Sequence, residues 1–293
     1  MNLRNGITVI IPTYNRVELL EKTLKSLCFQ SMEKDHFEVI IVDDGSSDNT
    51  KSVVKNFQRT ISVRYFYQQD KGFRVAKARN VGIFHARYKT CLFLDSGVIA
   101  SSGLLLAHYK KHEYKLIALI GFAYGFEELE VSSIVDTQDF HSLKALNSLF
   151  SRYKNSHEFL DCRERVLQEN HLSVDSMSVP WILFWTCHVS CATEILCDLG
   201  GFDEWFDSWG GEDVELAIRL HKAGIKFLQL DSERVIHCYH SREVKKNTLS
   251  MAVNAEYIYS KHGSDEICML MQPETPWIDI DNFSRLNFSR ISA

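Results

Sequence analysis

The first 110 residues alternate between short apolar segments and segments with helical spacing, and this alternation restricts the fold more than any other feature. The segments at 7–11, 38–42, 63–67 and 90–94 are predicted strands, and the first has the composition of a buried strand. Between them, apolar residues recur at the spacing of one helix face. Strand and helix in this rhythm predict right-handed crossovers and a parallel sheet, so the expected fold class is α/β.

The segments between the predicted strands carry helix-start signals. Asn15, with Glu18 three residues further on, is close to a capping box, so the first helix is predicted to begin there. The turn-and-cap cluster at 43–48 predicts a second helix that ends near residue 57. A third helix is predicted over 74–87.

The pattern loosens beyond residue 120. A segment of mixed charge over 143–168 is predicted to be helical, and we expect the stretch 121–179 to cover a site or dock a partner, with a solvated helical insertion as the alternative. An acidic patch in this stretch comprises Glu127, Glu128, Glu130, Asp136 and Asp139. Other predicted elements are a helix from Ser101 or Ser102, a helix over 192–199, a strand over 225–230, an extended piece over 234–237 and a helix over 248–259.

Polar residues follow several of the predicted strands at the points where they end. These are the residues from Thr13 to Arg16, the pair Asp43 and Asp44, and Asp95. In open parallel sheets, ligands bind beyond the carboxyl ends of the strands, so these side chains are expected to converge on a site. Asp43 and Asp44 could instead be turn residues that cap a helix. No glycine-rich phosphate loop is present, so a bound nucleotide would be held by carboxylates, side-chain cations or a metal.

Three acids lie within four positions in the sequence Trp209-Gly210-Gly211-Glu212-Asp213-Val214-Glu215. The apolar spacing that follows predicts a helix, which places the first two acids where the helix dipole favours negative charge. One interpretation is an acidic first turn after a glycine loop. The other is a general base in a glycine loop beside an aromatic wall, since glycines let a backbone approach a ligand closely. Residue chemistry alone leaves both open.

Composition excludes several classes of protein. The 293 residues could form one large α/β domain or two, and the net charge of -5 is not that of a nucleic-acid-binding surface. No apolar run has the length of a membrane span, and the first residues lack a signal-peptide core. The eight cysteines show no metal-ligand spacing, which indicates reduced thiols without disulfides. The expected location is therefore the cytoplasm.

On these motifs the chain resembles nucleotide-sugar glycosyltransferases of the GT-A fold, in the inverting family 2. The amino-terminal motifs are residues 7–16, 42–46, 71–74, 78–80 and 93–97. The second half, in which 200–204 leads into 209–213, resembles the carboxyl-terminal segment of β-1,4-galactosyltransferases and chondroitin-type polymerases. The resemblance implies one GT-A domain over 1–240, Rossmann-like, with helices on both faces of a mostly parallel sheet and a helical insertion. Its nucleotide-binding half would be 1–120 and its acceptor half 121–240, with 241–293 as a helical extension and tail.

The resemblance also implies roles for individual residues. Asp213 would be the catalytic base, and Glu212 would act beside it and position the sugars. Asp44 would accept a hydrogen bond from uracil or ribose, with Asp43 as the less favoured choice. Arg74 and Arg79 would counter the diphosphate charge or hold the base. The remaining nucleotide-sugar contacts would be Pro12, Thr13, Tyr14, Arg16, Asp95, Ser96, Trp209 and Gly211.

A divalent metal, Mn²⁺ or Mg²⁺, is implied with Asp95 and His237 as ligands and His240 as a weaker choice. The third position of the usual Asp-x-Asp motif is Gly97, which has no side chain to bind a metal. His237 could equally be a strand-end residue bonded to backbone. Gly97 therefore leaves three outcomes open: a metal held by Asp95, His237 and diphosphate; a metal-free site with Arg74 and Arg79; or a fold without catalysis.

The function implied is transfer of a sugar from a UDP-sugar by single displacement. The alternative is a catalytically inactive sugar-nucleotide-binding partner subunit, and a nucleotidyltransferase is a third choice that lacks its usual glycine-rich loop. The donor sugar is not specified by the sequence. The acceptor could be a saccharide, a lipid-linked sugar, a small molecule or a peptide, and a homo-oligomer is left open.

Overall fold

The computed structural model describes residues 2–113, 116–125, 137–154, 157–238, 244–270, 278–282 and 284. Within them, a seven-stranded sheet has the strand order β3-β2-β1-β4-β8-β6-β9, and a small sheet has the order β5-β10-β7. The strands are β1 (Arg4–Thr13), β2 (Phe37–Asp43), β3 (Val63–Tyr67), β4 (Tyr88–Leu94), β5 (Val98–Ala100), β6 (Ile117–Ile120), β7 (Ala123–Tyr124), β8 (His188–Ala192), β9 (Lys226–Gln229) and β10 (Val235–His237).

The helices pack on both faces of the large sheet, as predicted. Alternate residues of β1 show this, because Val9 and Ile11 join one apolar cluster with α1, α2 and α4, whereas Ile10 joins another with α3, α7 and α8. The helices are α1 (Val17–Leu27), α2 (Thr50–Phe57), α3 (Val75–Phe84), α4 (Leu104–His112), α5 (Leu143–Lys154), α6 (Cys162–Glu169), α7 (Thr193–Asp198), α8 (Glu212–Lys222), α9 (Val244–His262) and α10 (Asp265–Met269). Among the described residues, no helix combines the length and apolar character needed to cross a membrane.

The large sheet is parallel except at one strand. β2 pairs with β1 and β3 in parallel, β1 pairs with β4 in parallel, and β6 pairs with β9 in parallel. β8 runs antiparallel to both of its neighbours, β4 and β6. The predicted α/β class with a mostly parallel sheet is therefore confirmed, and the carboxyl ends of β1, β2 and β4 lie at one edge.

The sequence prediction missed β8 because polar residues interrupt it. His188 and Ser190 of this strand are fully buried and belong to a hydrogen-bonded network with α4. The Ser190 hydroxyl lies 2.7 Å from His108 Nδ1 and 2.7 Å from His112 Nε2. His108 Nε2 lies 2.9 Å from His188 Nε2, whose Nδ1 faces the Phe122 carbonyl at 3.1 Å. The partners that make these polar residues acceptable in a core strand are about 80 residues away in sequence.

The predicted capping box at the start of the first helix is wrong. Asn15 has a φ of 49° and no cap bond to the helix, and α1 begins two residues later at Val17. The Val17 N–H is instead satisfied by the Asp48 carboxylate at 3.0 Å, and the Asn15 side chain accepts from the Ser47 N–H at 2.8 Å. The loop after β2 therefore caps a helix that follows β1.

The predicted helix over 143–168 is two helices, α5 and α6. Asp161 interrupts it as the N-cap of α6, accepting from the Arg163 N–H at 2.9 Å. Most of the acidic patch lies outside the described residues, and its expected role in covering a site or docking a partner stays a prediction. All eight cysteines are free thiols, as expected.

Candidate active site

The ends of β1, β2 and β4 are joined by hydrogen bonds at one edge of the sheet. Thr13 is opposite Asp43 in the β1–β2 register, and the Asp44 N–H donates to the Thr13 carbonyl at 2.9 Å. On the other side, the Ser96 hydroxyl donates to the Pro12 carbonyl at 2.9 Å. The polar residues predicted to converge from these strand ends are therefore neighbours.

Asp43 and Asp44 have different environments. Asp43 is buried and holds its own turn together, accepting from the Gly45 and Ser46 N–H groups at 3.2 and 2.7 Å and from the Tyr65 hydroxyl at 2.6 Å. Asp44 instead faces Arg74, whose Nη2 donates to Oδ1 at 2.7 Å and whose backbone N–H donates to Oδ2 at 2.9 Å. Asp43 is thus bound by its own loop and by β3, whereas Asp44 is bound by the segment that leads into α3.

A second wall of the same region is exposed and aromatic. Tyr14 is 46% exposed, and its hydroxyl donates to Asp70 Oδ2 at 2.9 Å. The Gly72 N–H and the Tyr14 hydroxyl both donate to this carboxylate and hold the pKa of Asp70 below its usual value. Arg16 is exposed at the N-terminus of α1. Sequence reasoning did not find Asp70, because an exposed acid in a turn has no distinguishing pattern.

Arg79 joins the two halves of the chain. Only 3% of its surface is exposed, and its two Nη atoms donate to Glu212 Oε1 at 2.7 Å and to Asp95 Oδ1 at 3.2 Å. The guanidinium also lies 5.4 Å from the ring centre of Phe202, which faces it from the segment before α8. Arg74 is the N-cap of α3 and Arg79 lies within that helix, so α3 connects Asp44 to Glu212 of α8.

Asp213 lies in the first turn of α8, as the sequence predicted. It is partly buried, and its carboxylate accepts from the Thr186 N–H at 3.2 Å and the Val214 N–H at 2.8 Å. Burial, and then the neighbouring Glu212 carboxylate, raise the pKa of Asp213 to about 7. A carboxyl group with such a pKa exchanges a proton readily near neutral pH.

The Arg79 cluster, defined as Arg79, Asp95, Glu212 and Asp213, is rich in negative charge. With all groups ionised it contains three carboxylates and one guanidinium. Glu212 Oε2 is buried and has no hydrogen-bond partner. The cluster therefore offers acceptors to hydroxyl groups and an attractive site for a cation.

Buried polar atoms without partners concentrate in this region of the described structure. Buried polar groups in proteins are otherwise nearly always hydrogen-bonded, and exceptions mark sites that a ligand or water completes. Besides His112 Nδ1 in the buried histidine network, the unpartnered atoms are Thr13 Oγ1, Gln68 Oε1, Arg74 Nε, Arg79 Nε and Glu212 Oε2. Gln68 is a further residue missed from the sequence, and its amide donates to Asp44 Oδ1 at 2.6 Å.

The glycines of the 209–211 loop pack against α9. Gly210 and Gly211 both have a φ of 95°, and Cβ atoms added to them would lie 2.3 Å from Met251 Sδ and 3.1 Å from Ile258 Cδ1. The left-handed backbone and the packing of α9 both require glycine here, and the close approach of a ligand to this loop stays a prediction. Trp209, 45% exposed, is the member of the loop that reaches solvent.

The residues expected to bind a metal form a sparse donor set. Gly97 has a φ of 99°, and a Cβ there would meet the Leu19 side chain at 3.3 Å. His237 pairs with Val98 in the small sheet, and the next residue's N–H donates to the Gly97 carbonyl at 2.9 Å, so His237 lies beside the segment that follows Asp95. His240 lies outside the described residues.

With only Asp95 and His237 as side-chain donors, a metal would also need donor atoms from a bound substrate. Within the described part of the chain, the one cluster of three metal-ligating side chains is the exposed group Glu33, Asp35 and His36, which does not include Asp95 or His237. Mg²⁺ sites in nucleotide-binding enzymes commonly use one or two carboxylates together with substrate phosphates. A metal held by Asp95 and His237 would therefore depend on diphosphate oxygens for the rest of its coordination.

Comparison with known protein families gives two matches that divide the chain. The model described as glycosyl transferase family 2 matches residues 8–161, and the model described as the N-terminal domain of galactosyltransferase matches residues 171–241. Asp44, Arg79 and Asp95 fall in the first match, and Glu212 and Asp213 fall in the second. The Arg79 cluster therefore forms where the two matched segments meet.

Named relatives and solved structures agree with these matches. The chain is 34% identical over 279 residues to validoxylamine A glucosyltransferase of Streptomyces hygroscopicus subsp. jinggangensis, covering 92% of this chain and 63% of the relative. It is 30% identical over 252 residues to the chondroitin synthase of Escherichia coli, covering 80% and 34% of the two chains. The fold of S. aureus TarS 1–349, solved with UDP-GlcNAc, superposes with a TM-score of 0.62 at 17% identity and covers 96% and 74%. The chain thus spans less than two thirds of the length of either relative.

Proposed function

Because the chain belongs to glycosyl transferase family 2, we propose that it transfers a sugar from a UDP-sugar to an acceptor hydroxyl with inversion at the anomeric carbon. In this proposal, residues 1–240 act as a single GT-A domain and α9 belongs to a carboxyl-terminal extension. The observation that carries the proposal is the bridge from Arg79 to both Asp95 and Glu212. It links the strand-end segment expected to bind the nucleotide with the helix start expected to perform the chemistry.

Asp213 is proposed as the general base. An inverting transfer is a single in-line displacement, and the acceptor hydroxyl must lose a proton as it attacks. The raised pKa of Asp213 suits this task, because a base titrating near the working pH is both ionised in part and basic enough. The Thr186 and Val214 N–H groups hold the carboxylate in place without supplying a competing proton acceptor.

Glu212 is proposed to bind the transferred sugar. One of its oxygens is held by Arg79, and the other is buried without a partner. A sugar hydroxyl donating to Oε2 would complete its hydrogen bonding, and it would place the anomeric carbon next to the adjacent Asp213. The exposed ring of Trp209 would pack on the apolar face of a sugar beside this position.

The nucleotide is proposed to lie along the ends of β1, β2 and β4. Asp44 would accept from the uracil or ribose, with Pro12, Thr13, Tyr14, Arg16 and Ser96 lining the pocket. The structural neighbour TarS 1–349 was solved in complex with UDP-GlcNAc, which supports a uridine nucleotide as the donor's carrier. Asp44 retains acceptor capacity although it is bound by Arg74 and Gln68, because each carboxylate oxygen can accept more than one hydrogen bond.

A divalent metal, Mn²⁺ or Mg²⁺, is proposed to be held by Asp95 and His237 together with the diphosphate. Three carboxylates surround one guanidinium in the Arg79 cluster, so a bare diphosphate would meet net negative charge. Arg74 and Arg79 are already paired with carboxylates, which makes a metal-free site relying on them the less favoured proposal. When bound, such a metal supplies charge stabilisation to the leaving diphosphate.

The acceptor is left as a hydroxyl-bearing saccharide, lipid-linked sugar, small molecule or peptide. The validoxylamine A glucosyltransferase and the chondroitin synthase are named for different products, so similarity to both does not select one. A sugar-nucleotide-binding partner without turnover is the second candidate. Gly97 favours it, because this position contributes no side-chain ligand to a metal.

A thermal-shift screen of UDP-sugars, with and without Mn²⁺ or Mg²⁺, followed by an assay of UDP release, tests both candidates. A ligand that binds the folded protein raises its melting temperature by mass action. The enzyme proposal expects a metal-dependent shift with at least one UDP-sugar and release of UDP from the same donor. A shift without any UDP release would support the binding partner instead, and the lack of a shift with every uridine nucleotide would refute both.

A further inference from the structure

Helix α9 contacts the 209–211 loop, which precedes α8, through a buried polar side chain. Asn254 is 1% exposed, and its side-chain Nδ2 donates to the Trp209 carbonyl at 3.2 Å and the Gly210 carbonyl at 2.6 Å. Its Oδ1 accepts from the Ser208 hydroxyl at 3.3 Å. Only the amide end of Asn254 can donate to two carbonyls, so these partners fix the orientation of the side chain.

The same helix also holds the segments on either side of this loop. Before the loop, Asp203 accepts from the Tyr257 hydroxyl and from Lys261 Nζ, each at 2.6 Å. After the loop, Glu215 of α8 is 2.7 Å from Lys261 Nζ and 3.0 Å from His262 Nε2. The contacts of α9 therefore bracket the segment 203–215, and both matched family segments end before this helix begins.

The 209–211 loop depends on its contacts with α9, because its own backbone has little preference for one conformation. Two successive glycines in the left-handed region can adopt many other conformations at little cost. Gly211 is the residue from which α8 starts, so rotation of the preceding peptide groups would redirect the side chains of Glu212 and Asp213. The two carbonyls that Asn254 binds belong to the peptide groups that join Trp209 to Gly211.

We propose that Asn254 is a positioning residue for the transfer reaction: it fixes the 209–211 loop so that Asp213 and Glu212 face the reacting sugar. The inference rests on the proposed function and assigns a catalytic contribution to a residue outside the segments that resemble the family. A displacement of about 1 Å in a catalytic group can lower a rate by about a hundredfold. Asn254 contacts the loop only through backbone carbonyls, and the proposed nucleotide contacts lie elsewhere, at the ends of β1, β2 and β4, so its loss should leave UDP binding largely intact.

The test compares Asn254→Asp with Lys261→Met. Asn254→Asp keeps the size of the side chain but turns its donor end into an oxygen that repels the two loop carbonyls. Lys261→Met removes the two ion pairs that anchor the same helix to Asp203 and Glu215 without touching the 209–211 loop. We expect Asn254→Asp to lower kcat by about ten- to a hundredfold with the affinity for UDP within about threefold. Lys261→Met is expected to keep kcat within about threefold of the unsubstituted protein.

Hydrogen exchange gives a second readout that does not need turnover. The amides of 209–213 are expected to exchange at least about tenfold faster in Asn254→Asp and to be unchanged in Lys261→Met. If the two variants have similar melting temperatures and equal kcat, or if exchange at 209–213 is unaffected by Asn254→Asp, the positioning role is refuted. If the unsubstituted protein transfers no sugar, the proposed function fails on its own, while the exchange data still decide whether Asn254 orders the loop.

Discussion

Replacement of Asp213 by asparagine separates the chemistry proposed for this residue from its effect on stability. Asparagine has nearly the same shape but cannot accept the acceptor's proton. Loss of a general base typically lowers a rate by about a hundred- to ten-thousandfold, and we expect a fall in kcat of this size with donor affinity retained. The assays are UDP release for the rate and thermal shift with UDP for binding.

The same substitution is expected to change stability with a sign that depends on pH. The pKa of Asp213, about 7 in the folded protein and 3.8 in the unfolded chain, makes ionisation cost up to about 4 kcal/mol in the folded state. Partial exposure and the interaction with Glu212 reduce this to roughly 2 kcal/mol. Asparagine offers one acceptor oxygen to the Thr186 and Val214 N–H groups, and the lost hydrogen bond offsets about 1 kcal/mol.

The sign of this change in stability follows from proton linkage. A raised pKa in the folded state means that the unsubstituted protein has the full benefit of a neutral Asp213 below pH 4 and loses it as the pH rises through 7. Asp213→Asn should therefore melt about 2–4 °C higher than the unsubstituted protein at pH 8, and at the same temperature or lower at pH 4. Melting curves at both values measure this. A difference that does not vary with pH, or an unchanged rate of UDP release, would refute the role assigned to Asp213.

Three other predictions concern separate parts of the structure. Arg79→Met should lower the free energy of unfolding by about 3–5 kcal/mol in urea denaturation and abolish transfer, because it leaves the buried Glu212 carboxylate without its cation. A decrease in the free energy of unfolding below about 1 kcal/mol would contradict this. Burial lowers the pKa of His112 to about 4, so proton uptake favours the unfolded chain, and the buried histidine network should make stability fall by at least about 1 kcal/mol per pH unit as the pH drops from 6.5 towards 4. His112→Gln should reduce this dependence of stability on pH, and the same dependence in the variant and the unsubstituted protein would contradict the prediction. Gly97→Asp should destabilise the protein by about 1–3 kcal/mol without increasing Mn²⁺ affinity in calorimetry, because the backbone is left-handed at this residue and the Leu19 side chain lies where a Cβ would be placed. Tighter Mn²⁺ binding would show that this position can supply a ligand.

Local sequence patterns predicted the strands and helix starts whose formation depends on neighbouring residues. The strands β1, β2 and β4 contain continuous apolar runs that are buried on both faces, and the polar residues that follow them lie together because parallel strands share an edge. The start of α8 was also predicted, since Glu212 and Asp213 combine helical spacing with acids at a helix N-terminus. These features can be read from neighbouring residues alone.

The parts that were missed depend on partners distant in the chain. Ser190 is acceptable in a core strand only because His108 and His112 reach it from α4. Asp48 caps α1 from a different loop, so no pattern near Asn15 could have indicated the true start of that helix. Asn254 has no signal of its own, because its importance comes from carbonyl groups 44 and 45 residues earlier.

The anomeric configuration of the first product, read by proton NMR during turnover of an α-linked UDP-sugar, is the most direct test of single displacement at Asp213. A β-linked product from the unsubstituted protein is the predicted result, since one in-line attack inverts the reacting carbon. An α-linked product would contradict the proposed reaction, because it would require two displacements or attack from the face of the leaving group.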